Sequence, residues 1–140
     1  MRAILVPLFG TNQFTLNAVN FAVHFAERSS ASPVFVRFVR DMTGNMPAEN
    51  QQTRNIERKI QELTQDFVVR EADCSGDVFD LHEYELEIRR FVEMYDISEI
   101  IMSAPGHDQD IYPVFLEHVE SLKQTTNCRI ITVKDLNKGC

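Results

Sequence analysis

A polar, glycine-containing loop follows a short apolar run late in the chain, with the sequence Ser103-Ala-Pro-Gly106-His-Asp108. The run before it, Ile100-Ile-Met102, is too short for a buried helix and rich in β-branched residues, which favours a strand covered on both faces. Parallel α/β sheets bind ligands beyond the carboxyl ends of their strands. We therefore expect the function of this protein to be decided at the loop.

Metal binding is one chemistry that these residue types suggest, because His107, Asp108 and Asp110 offer an imidazole and two carboxylates, and His118 offers a second imidazole. Clustered polar residues on an exposed loop more often contact only water. We therefore predict no metal site.

Catalysis is not indicated either. Thr11 as a nucleophile would need a base within hydrogen-bond reach, and its simpler role is in capping a helix, for which Thr11 or Asn12 is suited. Cys128 opens an apolar run, where a small buried hydrophobe is the default. A Gly-x-x-x-x-Gly-Lys-Ser/Thr loop and a Gly-x-Gly-x-x-Gly loop are both absent from the sequence. We predict no catalytic residue and a protein that is not an enzyme.

The elements that must position the loop alternate between short apolar runs and amphipathic segments. Around the loop, a helical stripe of Ile111, Phe115, Val119 and Leu122 separates two strands and makes a parallel crossover. The same logic predicts strands at 3–6, 34–39, 78–82, 100–102 and 130–133, with helices between them, of which the second covers 51–70. This order predicts a three-layer α/β/α sandwich with a five-stranded parallel sheet.

Composition limits the classes of function. The chain has 140 residues, which suits a single domain covering 1–140. Its formal charge is −7 and it has no basic run, so we expect neither nucleic acid nor a membrane surface as a partner. No apolar stretch is long enough to span a membrane and no signal peptide is recognisable, so we expect a cytoplasmic protein.

The carboxyl-terminal segment resembles the universal stress protein family, whose pattern is a strand, Met-Gly-x-x-Gly, nine residues, Gly-Ser or Gly-Thr, a helix and a last strand. Met102, Gly106 and Cys128 fall on that spacing without a gap. The start, Ile4-Leu-Val-Pro-Leu-Phe-Gly-Thr11, resembles the family's Ile-Leu-Val-Pro-x-Asp-Gly-Ser. The resemblance implies strand order 3-2-1-4-5, as in adenine nucleotide alpha hydrolase-like folds, with a crevice between the loops after strands 1 and 4.

The family's ATP-binding pattern is degenerate in this chain. Carried over by position, the adenine-reading Asp becomes Phe9 and the first glycine becomes Ser103, while Gly106 is kept. The third glycine becomes Leu116, and the phosphate-binding hydroxyl becomes Glu117. A carboxylate repels a triphosphate, and a branched side chain prevents close backbone approach. The resemblance therefore implies no cofactor and no tight ATP binding, with Phe9 either plugging the crevice or stacking on a ligand.

Two functions remain open from the sequence. The first is a non-catalytic stress-response or regulatory protein that acts as a homodimer through its terminal strand, Arg129–Val133, with a further protein partner that the sequence does not identify. The resemblance implies this interface, because the family's dimers commonly pair their fifth strands. The alternative is a module that binds a nucleotide or another small molecule in the crevice, lined by Gly10, Thr11, Ser103 and Gly106.

Overall fold

A computed structural model describes residues 2–8, 10–39, 50–73, 81–106, 108, 110 and 112–134. Strands and helices alternate along the chain, in the order β1 (Ala3–Leu8), α1 (Gln13–Ser29), β2 (Ser32–Val39), α2 (Gln51–Thr64), β3 (Val68–Asp73), α3 (Leu81–Tyr95), β4 (Ile97–Ser103), α4 (Tyr112–Thr126) and β5 (Arg129–Val133). The five strands form one parallel sheet with the order β3-β2-β1-β4-β5. The predicted fold class and strand order are confirmed.

The sheet is covered on both faces. Ile4, Val6 and Ile101 belong to the core that α1 and α2 complete, whereas Leu5, Ile100 and Met102 belong to the core that α3 and α4 complete. All six side chains are fully buried. Because a strand alternates its side chains between faces, β1 and β4 need apolar residues at consecutive positions, which is the pattern that marked them as buried strands.

Each of the first two helices begins at an asparagine. The Asn12 side chain accepts a hydrogen bond of 2.9 Å from the Thr15 N–H, and Asn50 accepts one of 2.8 Å from the Thr53 N–H. These carboxamides satisfy amides that a helix start leaves without a partner. Of the two capping residues predicted for α1, Asn12 caps the helix.

The predicted position of the third strand is wrong. We predicted a helix over 51–70 and a strand over 78–82, but α2 ends at Thr64 and β3 is Val68–Asp73. Phe67 continues the apolar period of α2, although its N–H already closes a turn onto the Thr64 carbonyl at 3.0 Å. The β-branched Val68 and Val69 then pair with β2. Residues 78–80 lie outside the described part, and 81–82 begin α3.

The first strand is longer than predicted. β1 extends to Leu8, beyond its predicted end, so that Pro7 lies inside the strand opposite Val36. Within the described residues, no helix has the length and apolar character needed to cross a membrane.

The seam between α3 and α4 contains a buried imidazole. The side chain of His118 is 2% exposed, and its Nδ1 lies 3.7 Å from a Glu85 carboxylate oxygen, which is too long for a hydrogen bond. The other Glu85 oxygen accepts a 2.5 Å hydrogen bond from the Ser121 hydroxyl. Burial lowers the pKa of His118 below its usual 6.5, and the charge of Glu85 opposes this shift.

We predict that His118 makes the fold sensitive to mild acid. Its pKa is lower in the folded than in the unfolded chain, so the unfolded chain binds more protons as the pH falls below about 6.5, and stability is lost there. Between pH 7 and 5, the unfolding free energy of His118→Leu should fall less steeply than that of wild type, by up to about 1.4 kcal/mol per pH unit. Denaturant titrations at several pH values measure this. The exposed His24→Gln is the control, and an equal pH dependence in wild type and His118→Leu would contradict the prediction.

Candidate functional site

The two loops predicted to form a crevice follow neighbouring strands. Gly10 and Thr11 come after β1, and Ser103 is the last residue of β4, which pairs with β1 in the sheet. Both loops therefore leave the carboxyl edge of the sheet from adjacent positions. Gly106 lies three residues beyond the end of β4 and is half-buried. Phe9, and with it the choice between a plugged and an open crevice, lies outside the described residues.

Gly10 is the residue that turns the chain from β1 toward α1. Its φ angle is +87°, a conformation that side chains with a Cβ rarely adopt. A Cβ at this position would meet the Asn12 side chain at 3.5 Å, which is ordinary contact, so the requirement for glycine comes from the backbone. Gly10 thereby sets the direction in which Thr11 and the Asn12 cap follow.

The Thr11 hydroxyl is held by a carboxylate from α2. It donates to an oxygen of Glu57 at 3.2 Å, and the same oxygen accepts from the Arg37 guanidinium of β2 at 2.6 Å. Gln61 donates to the other Glu57 oxygen at 3.3 Å. Since β2 lies on the opposite side of β1 from β4, this cluster ties Thr11 to the α2 side of the sheet, and not to Ser103.

The charge state of this cluster follows from its geometry. The hydrogen bond from Arg37 lowers the pKa of Glu57 below 4.5, and partial burial opposes that effect. Glu57 is therefore an ionised carboxylate that neutralises Arg37, and a carboxyl with a lowered pKa is a weak general base. Sequence reasoning missed Glu57, whose partner Arg37 is a charge inside an otherwise apolar strand. The structure explains that charge as one half of an ion pair.

Ser103 and the loop after it are tied to β5. Ser103 pairs in register with Val133, and the Ala104 N–H donates to the Val133 carbonyl at 2.9 Å. Ala104 is buried, whereas Pro105 and Gly106 are half-buried. The amide of Ala104 is thus part of the sheet.

Leu116 and Glu117 lie inside α4, in its second turn. The helix begins at Tyr112, and both residues are exposed. The amides left free by a helix are those of its first turn, so neither position offers one. Pro113 removes a further N–H from that first turn. The phosphate-binding position implied by the resemblance therefore does not coincide with the start of this helix.

The residues considered for metal binding and catalysis are separate in the described structure. Asp108 and Asp110 are exposed, His118 is buried beside Glu85, and His107 lies outside the described residues. Among the described residues, no group of three or more His, Cys, Asp or Glu side chains is placed to hold a metal ion. Cys128 is buried, with its sulfur 3.2 Å from the Ile97 carbonyl oxygen, and burial raises the pKa of the thiol.

Comparison with known proteins identifies the architecture. No protein-family model and no curated protein sequence matches the chain. Among solved structures, the universal stress protein UspA from Lactobacillus plantarum is similar with a TM-score of 0.62 and 16% identity, over 94% of this chain and 97% of that one. A universal stress protein in complex with cAMP has a TM-score of 0.63 and 9% identity, over 95% and 96% of the two chains.

An enzyme has a similar structure as well. A triple mutant of a deacetylase from the teicoplanin biosynthetic pathway has a TM-score of 0.62 and 10% identity, over 99% of this chain and 66% of the deacetylase. Universal stress proteins from bacteria and archaea nevertheless recur among the similar structures, over almost the full length of both chains. At these identities the similarity concerns architecture. The chain has the fold of the universal stress proteins.

Proposed function

We propose that this protein is a non-catalytic, cytoplasmic stress-response or regulatory protein of a single domain that works as a homodimer. The observation that carries the proposal is the outer edge of β5, which has no neighbouring strand among the described residues. An apolar edge strand with unpaired backbone groups is a template for pairing with another chain. A second copy of the same strand is the simplest partner for this edge of the sheet.

The direction of the backbone groups identifies which residues would pair. The Val133 carbonyl points toward β4, because it accepts from the Ala104 N–H. Since the N–H and C=O of one residue point to the same side of a strand and alternate along it, Ile131 also faces β4, while Ile130 and Thr132 face outward. An antiparallel partner strand would therefore bond to Ile130 and Thr132.

Charge distinguishes β5 from the other edge strand, β3. In an antiparallel pair, two residues directly opposite each other have their side chains on the same face of the sheet. When a two-fold axis relates two copies of one strand, opposite residues are therefore separated by an even number of positions in the sequence. For β3, the two registers with most overlap place Arg70 opposite its own copy or Glu71 opposite its own copy. Like charges in opposite positions are destabilising. For β5, the central register places Ile131 opposite Ile131 and Arg129 opposite Val133, without such a clash.

An apolar surface adjoins β5 on the α1 side of the sheet. Ile131 and Val133 are half-buried and pack against the same core as Phe25. Phe25 stacks on Phe21 with ring centroids 5.9 Å apart, and Phe21 is 40% exposed. Burial of exposed aromatic surface beside the paired strands would add to the backbone hydrogen bonds. This continuity supports a second copy as the occupant of the edge.

We predict that Thr132→Pro weakens the dimer and leaves the monomer folded. The substitution removes an outward N–H, where an edge strand tolerates proline. The two-fold interface then loses two hydrogen bonds worth about 1 kcal/mol each, so the dissociation constant should rise by about tenfold or more. Sedimentation equilibrium measures this constant.

Thr132→Val is the matched control, because it keeps the N–H and the β-branched shape. Ile131→Pro would be a poor test, since it removes a donor from the β4–β5 ladder and destabilises the monomer. A dimer with the same dissociation constant in Thr132→Pro and Thr132→Val would refute the interface.

The chemistry of the crevice supports association over catalysis. Its one described hydroxyl from the loop after β1, that of Thr11, is bonded to a carboxylate that Arg37 already neutralises. A hydroxyl becomes a nucleophile when a base takes its proton, and a carboxylate held by a guanidinium is poorly suited to that role. The exposed Glu117 on α4 and the missing N–H of Pro113 disfavour a triphosphate.

A second candidate function is the binding of a nucleotide or another small molecule in the crevice. It is favoured by the similarity of the fold to universal stress proteins in complex with cAMP and with dAMP. Gly10, Thr11, Ser103 and Gly106 would line the site. This candidate needs a binding mode without a glycine-rich phosphate loop.

Calorimetric titration with Mg·ATP and with cAMP separates the two functions. If the protein is a dimer that binds no nucleotide, we expect no saturable heat up to millimolar nucleotide concentrations and no nucleotide in a denaturing extract of the purified protein. Saturation at micromolar concentrations would establish the second candidate instead. In that event Ser103→Leu should abolish the heat, while Ser98→Leu, exposed at the opposite end of β4, should not.

A further inference from the structure

A groove of about 360 Å³ lies between α3 and α4, from the middle of α3 to the carboxyl-terminal ends of both helices. Its lining includes Leu86, Arg89, Val92 and Glu93 of α3 and Thr125 and Thr126 of α4. Both helices end where β4 and β5 begin, so the groove lies at the opposite end of the sheet from the crevice. Its volume is within the range of small-molecule sites.

Arg89 is the charged residue of this groove whose bonding is incomplete. Its Nε is buried, and no described residue accepts a hydrogen bond from it. The ion pairs found among the described residues do not include Arg89. A guanidinium stays protonated and acts only as a donor, so burying part of it without an acceptor is costly. An anionic oxygen is the acceptor that would also offset the charge of this guanidinium.

The carboxylates one helical turn away on α3, those of Glu85 and Glu93, form no ion pair with Arg89. Glu85, one helical turn before Arg89, accepts from Ser121 with one oxygen and lies 3.7 Å from His118 with the other. The hydroxyls of Thr125 and Thr126 donate to the carbonyls of Ser121 and Leu122, at 2.9 and 2.6 Å, and neither oxygen accepts a hydrogen bond from the Arg89 Nε.

The neighbouring arginine has a different environment. The Arg90 guanidinium lies 5.7 Å from the centre of the Phe91 ring and 3.7 Å from a Glu87 oxygen. Its charge is therefore shared with an aromatic face and a carboxylate on α3 itself. Arg89 remains the cation that is open to an incoming group.

The groove also has an apolar wall. Leu86 is 47% exposed, and Val92 is buried beneath the groove. An apolar wall next to an unpaired guanidinium matches a molecule with an anionic head and an apolar body. An inorganic ion would use only the first of these features.

We propose that the α3–α4 groove binds a small organic anion. The anionic head, a carboxylate, pairs with the guanidinium of Arg89, and the aliphatic or aromatic body lies against Leu86 and Val92. The exposed carboxylate of Glu93 stands at the groove and weakens the site through like-charge repulsion.

The first test follows the side-chain Nε–H signal of Arg89 by NMR while wild-type protein is titrated with sodium hexanoate. Sodium chloride at equal ionic strength serves as the reference. We expect a saturable shift with a dissociation constant in roughly the millimolar range, and about tenfold weaker binding of acetate, which lacks the apolar body. An Arg89 signal that hexanoate leaves unmoved, or moves no more than chloride does, overturns the proposal.

The second test uses variants and follows the methyl signal of hexanoate. Arg89→Gln should weaken binding by about tenfold or more, and Leu86→Ser should reduce the preference for hexanoate over acetate. Glu93→Gln should strengthen binding by roughly twofold to fivefold. Arg58→Gln, exposed on α2 in the other helical layer, is the matched control and should bind as wild type does.

Two results would refute the proposal at this stage. Equal binding by Arg89→Gln and Arg58→Gln would exclude the guanidinium as the recognition group. Inorganic phosphate that saturates the Arg89 shift at a lower concentration than hexanoate would exclude a role for the apolar wall and point to a simple oxyanion.

Discussion

Burial of the central strand on both faces is the constraint on which this structure depends. Ile4, Leu5 and Val6 are all fully buried and contribute to two separate cores. Backbone groups so far from water must bond to neighbouring strands, and the side chains need a helical layer on each side. What remains open for function is then limited to the two ends of the sheet and the outer edges of β3 and β5.

The sequence correctly predicted those elements whose pattern of apolar residues is compatible with only one type of secondary structure. The consecutive apolar residues of β1 and β4 do not fit one face of an amphipathic helix. Phe67 does fit such a face, because it continues the apolar stripe of α2. The turn that ends the helix at Thr64 depends on a backbone hydrogen bond, which has no sequence signature. The strand order required the family resemblance, since side-chain periodicity carries no information about which strands are neighbours.

The candidate site was less predictable because its contacts are long-range. Thr11 and Glu57 are 46 residues apart, and Glu57 is one of several charges on α2. The resemblance aligned Leu116 and Glu117 with a helix start, yet Phe115 and Val119 are buried on the helical face that packs against the sheet. A helix that begins at Tyr112 agrees with the apolar stripe of the sequence, so the position carried over from the family pattern, and not the residue spacing, misplaced its first turn.

The distribution of cations gives the two ends of the sheet different chemistry. At the carboxyl edge, where α/β sheets usually bind ligands, Arg37 is neutralised by Glu57, and Thr11 adds a second donor to the same oxygen. At the opposite edge, Arg89 has a buried donor with no acceptor among the described residues, although the chain carries a net charge of −7. An anion gains most where desolvation of a cation is not yet compensated. We therefore assign the proposed anion binding to the α3–α4 groove and the proposed association to the outer edge of β5.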